Sequence, residues 1–242
     1  GDSVRQRAVM VAFMRRFDPA LLHAKLLLEQ GAVGKLFKLV SILEDPAGPP
    51  IGYNSAGLLV DMAVHNADEV IWLTGGRRPQ AVTGAGSRLY NQMNTSVEED
   101  FDDSFLQMWF EDDLVAQVQV SRNHVAGYRN ETVLYGETGL IHVGAFRANP
   151  GCVTVEHYGS KGLVDDRGFE TRDYGRKVPV FITRFGKAYA AELDDFIDKC
   201  LNDQAFSVNH DDGLRALQVV TDGMRSQITR AQAGPVAWKP PN

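Results

Sequence analysis

Apolar residues recur along this chain with two different periods, and the switch between them outlines the fold. Residues 8–13 form a short apolar run suited to a buried strand, and Met14-Arg15-Arg16-Phe17-Asp18-Pro19 breaks it. A helix is predicted next. Asp18 can cap it, Pro19 suits its first position, Leu21, Leu22, Lys25, Leu26 and Leu28 follow at helical spacing, and Gly31 closes it. Residues 35–43 read as a strand, and the Pro- and Gly-rich residues 45–52 as a loop. The helical period then returns around Asp61 and stops before Gly75-Gly76.

From residue 79 to 158 the period drops to two. Segments 80–89, 104–110, 114–122, 132–135, 140–143 and 152–157 read as strands of an antiparallel sheet, with hairpin turns at Glu111-Asp112-Asp113 and Gly136-Glu137-Thr138-Gly139. Ala116, Val118 and Val120 oppose Gln117 and Gln119, so one strand has distinct faces. The neighbouring strand sets Phe105 and Trp109 against Leu106, Met108 and Phe110, so both of its faces call for cover. Residues 159–176 are polar and glycine-rich. Two helices follow, one marked by Tyr189, Leu193, Phe196, Ile197 and Cys200, the other by Leu214, Leu217, Val220 and Met224, with Gly234-Pro235 ending the second. The expected fold class is α+β: an open, predominantly antiparallel sheet with helices on one face and the other face available for oligomerisation.

Composition narrows the function classes. The chain has 242 residues, 44% of them hydrophobic, and a net charge of -6 with lysine and arginine scattered, which argues against nucleic acid as a partner. Cys152 and Cys200 lack metal or redox spacing and read as reduced thiols of a cytoplasmic protein. No apolar run is long enough to suggest a membrane span, and the first residues lack a signal-peptide layout. The sequons at Asn94 and Asn130 read as chance matches.

The candidate chemistry lies on the Asp61 helix. At about 100° per residue, Asp61, His65, Asp68 and Trp72 share one face, beside an apolar stripe of Val60, Ala63, Val64, Ala67 and Ile71. Oxidation of a secondary alcohol needs a base near pH 7, and an imidazole oriented by a carboxylate one turn away suits it. The same spacing also fits the solvated side of an amphipathic helix, or a metal site with Asp68 as a third ligand.

Three stretches, Phe13-Met-Arg-Arg-Phe-Asp-Pro19, Asp61-Met-Ala-Val-His65-Asn-Ala-Asp68 and Arg184-Phe-Gly-Lys-Ala-Tyr189-Ala-Ala-Glu192, together resemble the C-terminal half of the glucose-fructose oxidoreductase and inositol 2-dehydrogenase (Gfo/Idh/MocA) family, inositol dehydrogenases above all. The resemblance implies a two-domain oxidoreductase. An N-terminal Rossmann domain would hold NAD or NADP, and the open sheet would supply the substrate site and the oligomer interface. It also implies that the Rossmann domain is missing here: residues 1–14 would be the remnant of its last strand region, and residues 15–242 the substrate-binding and oligomerisation domain. The glycine-rich fingerprint is absent, Gly84-Ala85-Gly86 falling within a strand pattern, and so is the family's Glu-Lys-Pro motif.

By the same resemblance His65 is the general base, Asp61 its carboxylate partner, and Arg15, Met14, Asp68 and Tyr128 line a polyol pocket, with no metal expected. Arg15 could instead pair with Asp18 at the surface, and Tyr189 could pack in the core. Asn66, Arg129 and Glu44-Asp45-Pro46 depart from the family pattern and bear on which sugar is preferred. The other histidines have no carboxylate at a telling spacing, and Asp100, Asp102, Asp103, Asp112 and Asp113 read as solvated turn charges. The expected function is oxidation of a cyclic polyol by the intact protein, this chain alone being inactive. The alternative is a cofactor-free sugar-binding or scaffolding domain that assembles through its sheet. The leucines of the first helix are expected to meet the missing domain.

Overall fold

The computed structural model describes residues 9–46, 55–88, 100–146, 151–171 and 178–232. Its centre is an eight-stranded sheet in the order β2-β3-β4-β1-β5-β6-β7-β8. The strands are β1 (Leu36–Glu44), β2 (Ala81–Ser87), β3 (Asp103–Trp109), β4 (Val115–Ser121), β5 (Arg129–Gly136), β6 (Gly139–Val143), β7 (Cys152–Gly159) and β8 (Gly162–Glu170). All neighbours pair antiparallel except β1 with β4. That parallel pair needs a crossover, and a helix followed by the β2/β3 hairpin supplies it.

Among the described residues four α-helices accompany the sheet: α1 (Pro19–Glu29), α2 (Val64–Leu73), α3 (Val180–Leu201) and α4 (His210–Gln232). The α1 boundaries follow the local chemistry. Asp18 Oδ1 accepts the backbone N–H of Ala20 and Leu21, both at 3.1 Å, and Gly31 ends the helix at φ +73°. Leu21 and Ala24 face a core shared with Leu39, Leu106, Met108, Val118, Leu134 and Ile141, all fully or almost fully buried. α4 lies against β2: a Cβ on Gly84 would stand 2.7 Å from Gly223 O, and one on Gly223 would stand 2.4 Å from Leu106. Ser226 Oγ accepts from Gly84 N, and Gln227 donates to Ala85 O.

Among the described residues the opposite face of the sheet is only partly covered. One cross-strand row on it runs Ala81, Trp109, Val115, Lys38, Tyr135, Leu140, Tyr158 and Leu163. Trp109 and Phe105 on this face are 38% and 43% exposed, whereas Leu106 and Met108 of the same strand are fully buried.

Several expectations are corrected. Residues 9–13 form no strand; the backbone there makes one antiparallel bridge, Met10 to Asn209, and Val11 N donates to Val208 O at 3.1 Å, both in the segment before α4. The polar stretch after residue 159 contains β8, an edge strand almost wholly exposed, whose residues therefore carry no apolar alternation. Asp102 is buried, Asp103 accepts from Ser121, and Asp100 accepts the Leu58 N–H at 3.0 Å where a helical segment begins. Asp112 and Asp113 do form the turn, at φ 61° and 59°. Exposed leucines of α1 are limited to Leu22 and Leu26, and a longer exposed apolar stripe, Leu193, Ile197 and Leu201, runs along α3.

Candidate active site

The helix bearing Asp61 and His65 does not begin as an α-helix. Leu59–Ala63 is a π-helical turn that runs directly into α2. A π turn advances less per residue than an α turn, so Asp61 is displaced around the axis from the place a 3.6-residue count gives it. Its Oδ2 is met by Arg122 Nη2, from the residue just after β4. Among the described residues no hydrogen bond joins Asp61 to His65, and His65 Nδ1 is buried without a partner. The expected pairing is thus not made by a hydrogen bond here, and the carboxylate meets the Arg122 guanidinium.

The His65 ring stands edge-on to Phe13, centroids 5.8 Å apart at 81°. Burial holds its pKa down to about 4, the Arg15 charge adds to that, and Asp61 opposes it. The imidazole is therefore neutral at pH 7.

Met14–Phe17 is a single 3-10 turn. Met14 packs with Phe185 and Ala188 of α3, alongside Tyr189. Arg15 is 1% exposed, so it is not a surface partner of Asp18; its Nη1 meets Glu69 and lies 3.5 Å from Ser41 Oγ, while Nε and Nη2 are buried and unpaired. Glu69, itself fully buried, also accepts from Ser41 Oγ at 3.0 Å and from Thr132 Oγ1. Arg16 takes both oxygens of Asp68, at 2.9 and 2.6 Å, and reaches Asp212 at 3.0 Å. Asp68 was expected at the substrate; it is instead a buried partner of Arg16, its pKa pushed up to about 6 by burial against Arg16's pull. Asp18 pairs with Arg184. Arg15, Arg16, Arg122 and Arg184 thus each have a carboxylate.

Tyr128 closes the group. Burial pushes its phenol well above the usual range, and the charges acting on it are those of Arg15, Asp45 and Arg184, with Tyr189 adjoining. Glu192 on α3 is pushed up to about 7 by burial, and its Oε1 has no partner. Met14, Arg15, Asp61, His65 and Tyr128 therefore belong to one region. With Asp68 turned to Arg16, Asp61, His65 and Asp68 do not converge as a metal trio, and among the described residues no cluster of three potential ligands does. No helix among them is long and apolar enough to cross a membrane.

Residues 21–142 match the family model described as the GFO/IDH/MocA C-terminal domain. The chain belongs to this family. It is 28% identical to the scyllo-inositol 2-dehydrogenase (NAD(+)) of Bacillus subtilis, over 96% of this chain and 67% of that protein. It is 27% identical to an inositol 2-dehydrogenase of Rhizobium meliloti, over 93% and 64%. Among solved structures, the scyllo-inositol dehydrogenase of Lactobacillus casei with NAD(H) and scyllo-inositol superposes with a TM-score of 0.68 at 25% identity, over 90% of this chain and 62% of that one. A Corynebacterium glutamicum myo-inositol dehydrogenase gives 0.73 at 25% identity, over 93% and 63%. The chain spans about two thirds of the length of these family members.

Residues the sequence reasoning passed over include Arg122 and Glu69. Arg122 ends an apolar strand, a signal that was available; Glu69 occupies a buried helical position that periodicity assigns no chemistry. His142 and His124 do find carboxylates, Glu131 at 3.1 Å and Glu44 at 3.7 Å, but across strands and on the open face.

Proposed function

We propose that this chain is the substrate-binding and oligomerisation part of an NAD(P)-linked oxidoreductase acting on a secondary alcohol of a cyclic polyol. Residues 1–14 would complete a preceding nucleotide-binding domain, and residues 15–242 form the substrate domain. The names of its relatives support the substrate class. What carries the reading in this chain is His65, a neutral, enclosed imidazole in a region whose arginines are each matched by a carboxylate. Among the described residues Arg15, Arg16, Arg122 and Arg184 are each paired with a carboxylate, which suits an uncharged, hydroxyl-rich ring better than a sugar acid.

A dinucleotide needs the backbone N–H groups of a glycine-rich turn at a helix start. The described residues do not fit one. Gly84 and Gly86 lie within β2, and a Cβ at Gly86 would press on the Phe101 ring at 2.6 Å, so these glycines serve packing. The part of the chemistry assigned to this chain would be to bind the ring and to take the hydroxyl proton at His65. Arg15, with two unpaired buried donors, and Tyr128 would bind substrate hydroxyls, with Met14 as apolar wall.

The test joins the upstream nucleotide domain to this chain and measures NAD(P)-dependent oxidation of inositols. His65→Ala should lower kcat at least 100-fold, while the 242-residue chain alone shows binding of an inositol by calorimetry and no turnover. Wild-type rates from His65→Ala remove His65 from the mechanism. A second reading, assembly through the sheet without catalysis, is favoured by the exposed Trp109 and Phe105. It predicts a dimeric or larger mass by light scattering together with no polyol binding.

A further inference from the structure

Ser41 of β1 and Thr132 of β5 stand opposite each other in register, and both hydroxyls donate to one oxygen of Glu69, Ser41 Oγ to Oε1 at 3.0 Å and Thr132 Oγ1 to the same atom. The neighbours of Ser41 set the direction of its proton. A serine hydroxyl has one proton and two lone pairs; Asn66 Nδ2 donates to Ser41 Oγ at 2.7 Å and Arg15 Nη1 lies 3.5 Å from it, so the proton is left for Glu69. Two hydroxyls thus occupy Oε1, and Oε2 takes Arg15 Nη1. Arg15, Ser41, Glu69 and Thr132 are each 1% exposed or less, so bulk water does not compete for these bonds.

We infer that Glu69 is a positioning residue: anchored to the sheet through Ser41 and Thr132, it fixes the Arg15 guanidinium by Nη1 and thereby holds Nε and Nη2, which have no partner among the described residues, where substrate hydroxyls meet them. This rests on the reading of Arg15 as a ligand of the polyol. The guanidinium is planar and rigid, so a bond at Nη1, together with the Phe185 ring 5.8 Å from Cζ, sets the direction of the other two nitrogens. Nε and Nη2 offer parallel N–H donors along one edge, a spacing suited to oxygens on adjacent carbons of a ring. Glu69 also follows His65 by one turn of α2, and the charge of Arg15 acts on both His65 and Tyr128. Loosening the anchor frees the binding edge while His65 keeps its place, so the loss falls on binding.

The first experiment needs no substrate: NMR of isotopically labelled arginine side chains in the 242-residue chain, with the Arg15 signals assigned by their disappearance in Arg15→Lys. In the wild type the two Nη groups of Arg15 should give separate resonances, because rotation about Nε–Cζ is blocked. Thr132→Val leaves both charges in place and should speed that rotation about threefold or more, and Glu69→Gln should merge the resonances. Arg184, held by Asp18, should be unchanged in both variants. Merged Arg15 resonances in the wild type, an unaltered rotation rate in Thr132→Val, or separate resonances in a folded Glu69→Gln overturn the inference; the first two decide it even if Glu69→Gln does not fold. The second experiment uses the chain joined to its nucleotide domain. Thr132→Val should raise KM for an inositol about 3- to 10-fold with a smaller change in kcat, and the rise should vanish in the Arg15→Met/Glu69→Leu background. An unchanged KM, or a rise that persists in that background, refutes the role in binding. If the joined enzyme oxidises no polyol, the function proposed above fails, while the NMR result still decides whether Glu69 holds Arg15.

Discussion

Cutting the Arg15/Glu69 pair should be the most damaging single change to the region behind His65. Arg15 and Glu69 are 1% and 0% exposed, and Glu69 gathers three donors: the Arg15 guanidinium, Ser41 and Thr132. Glu69→Ala leaves a buried guanidinium with no counter-charge, a loss of about 3–5 kcal/mol, and Arg15→Ala strands the carboxylate at a similar cost. Replacing both by apolar residues of like shape, Arg15→Met with Glu69→Leu, removes both charges together. Ser41 Oγ still accepts from Asn66 Nδ2 at 2.7 Å, but the Ser41 and Thr132 O–H groups both lose Glu69 as acceptor, a remaining loss of about 1–3 kcal/mol in all. The double variant should therefore be far more stable than either single one. Urea unfolding monitored by circular dichroism, comparing midpoints at equal m-values, measures all three. Single losses under about 1 kcal/mol, or a double variant at the sum of the singles, would refute the claim that this pair is desolvated and coupled.

Two further expectations concern acid and the α1 cap. The folded pKa of His65 is about 4 against an ordinary 6.5, so the unfolded chain takes up that proton first as pH falls. Its contribution to stability is complete above pH 6.5 and is lost between 6.5 and 4, about 3 kcal/mol in all; His65→Asn should flatten that part of the stability profile, and an unaltered slope would contradict it. Asp18→Ala removes both the α1 cap and the partner of Arg184, whereas Asp18→Asn keeps a capping oxygen. Chemical unfolding should find the alanine variant less stable than the asparagine variant by about 1 kcal/mol.

Local signals carried most of the fold. The Asp18-Pro19 start of α1, the Asp112-Asp113 turn and the alternation along β4 are each decided by neighbours in sequence, and each forms as read. β8 escaped because an edge strand is held by backbone bonds and need not bury side chains. As candidates, Met14, Arg15, His65 and Tyr128 could be named from the sequence, but the Arg122 partner of Asp61 depends on where the end of β4 meets the π turn, and the Arg16 partner of Asp68 on how the 3-10 turn packs, which are tertiary facts. Asp68 does follow His65 by three residues on α2, but its carboxylate is taken by Arg16.

The two borders of the sheet are unlike. At β2, α4 engages Gly84 N–H and Ala85 C=O through Ser226 and Gln227, whereas among the described residues β8 presents its outer backbone to solvent. Growth of the sheet by an added strand is thus directional, available at one end and obstructed at the other. Asp165, Asp166 and Arg167 sit in the middle of the open border, where charge discourages an indiscriminate newcomer.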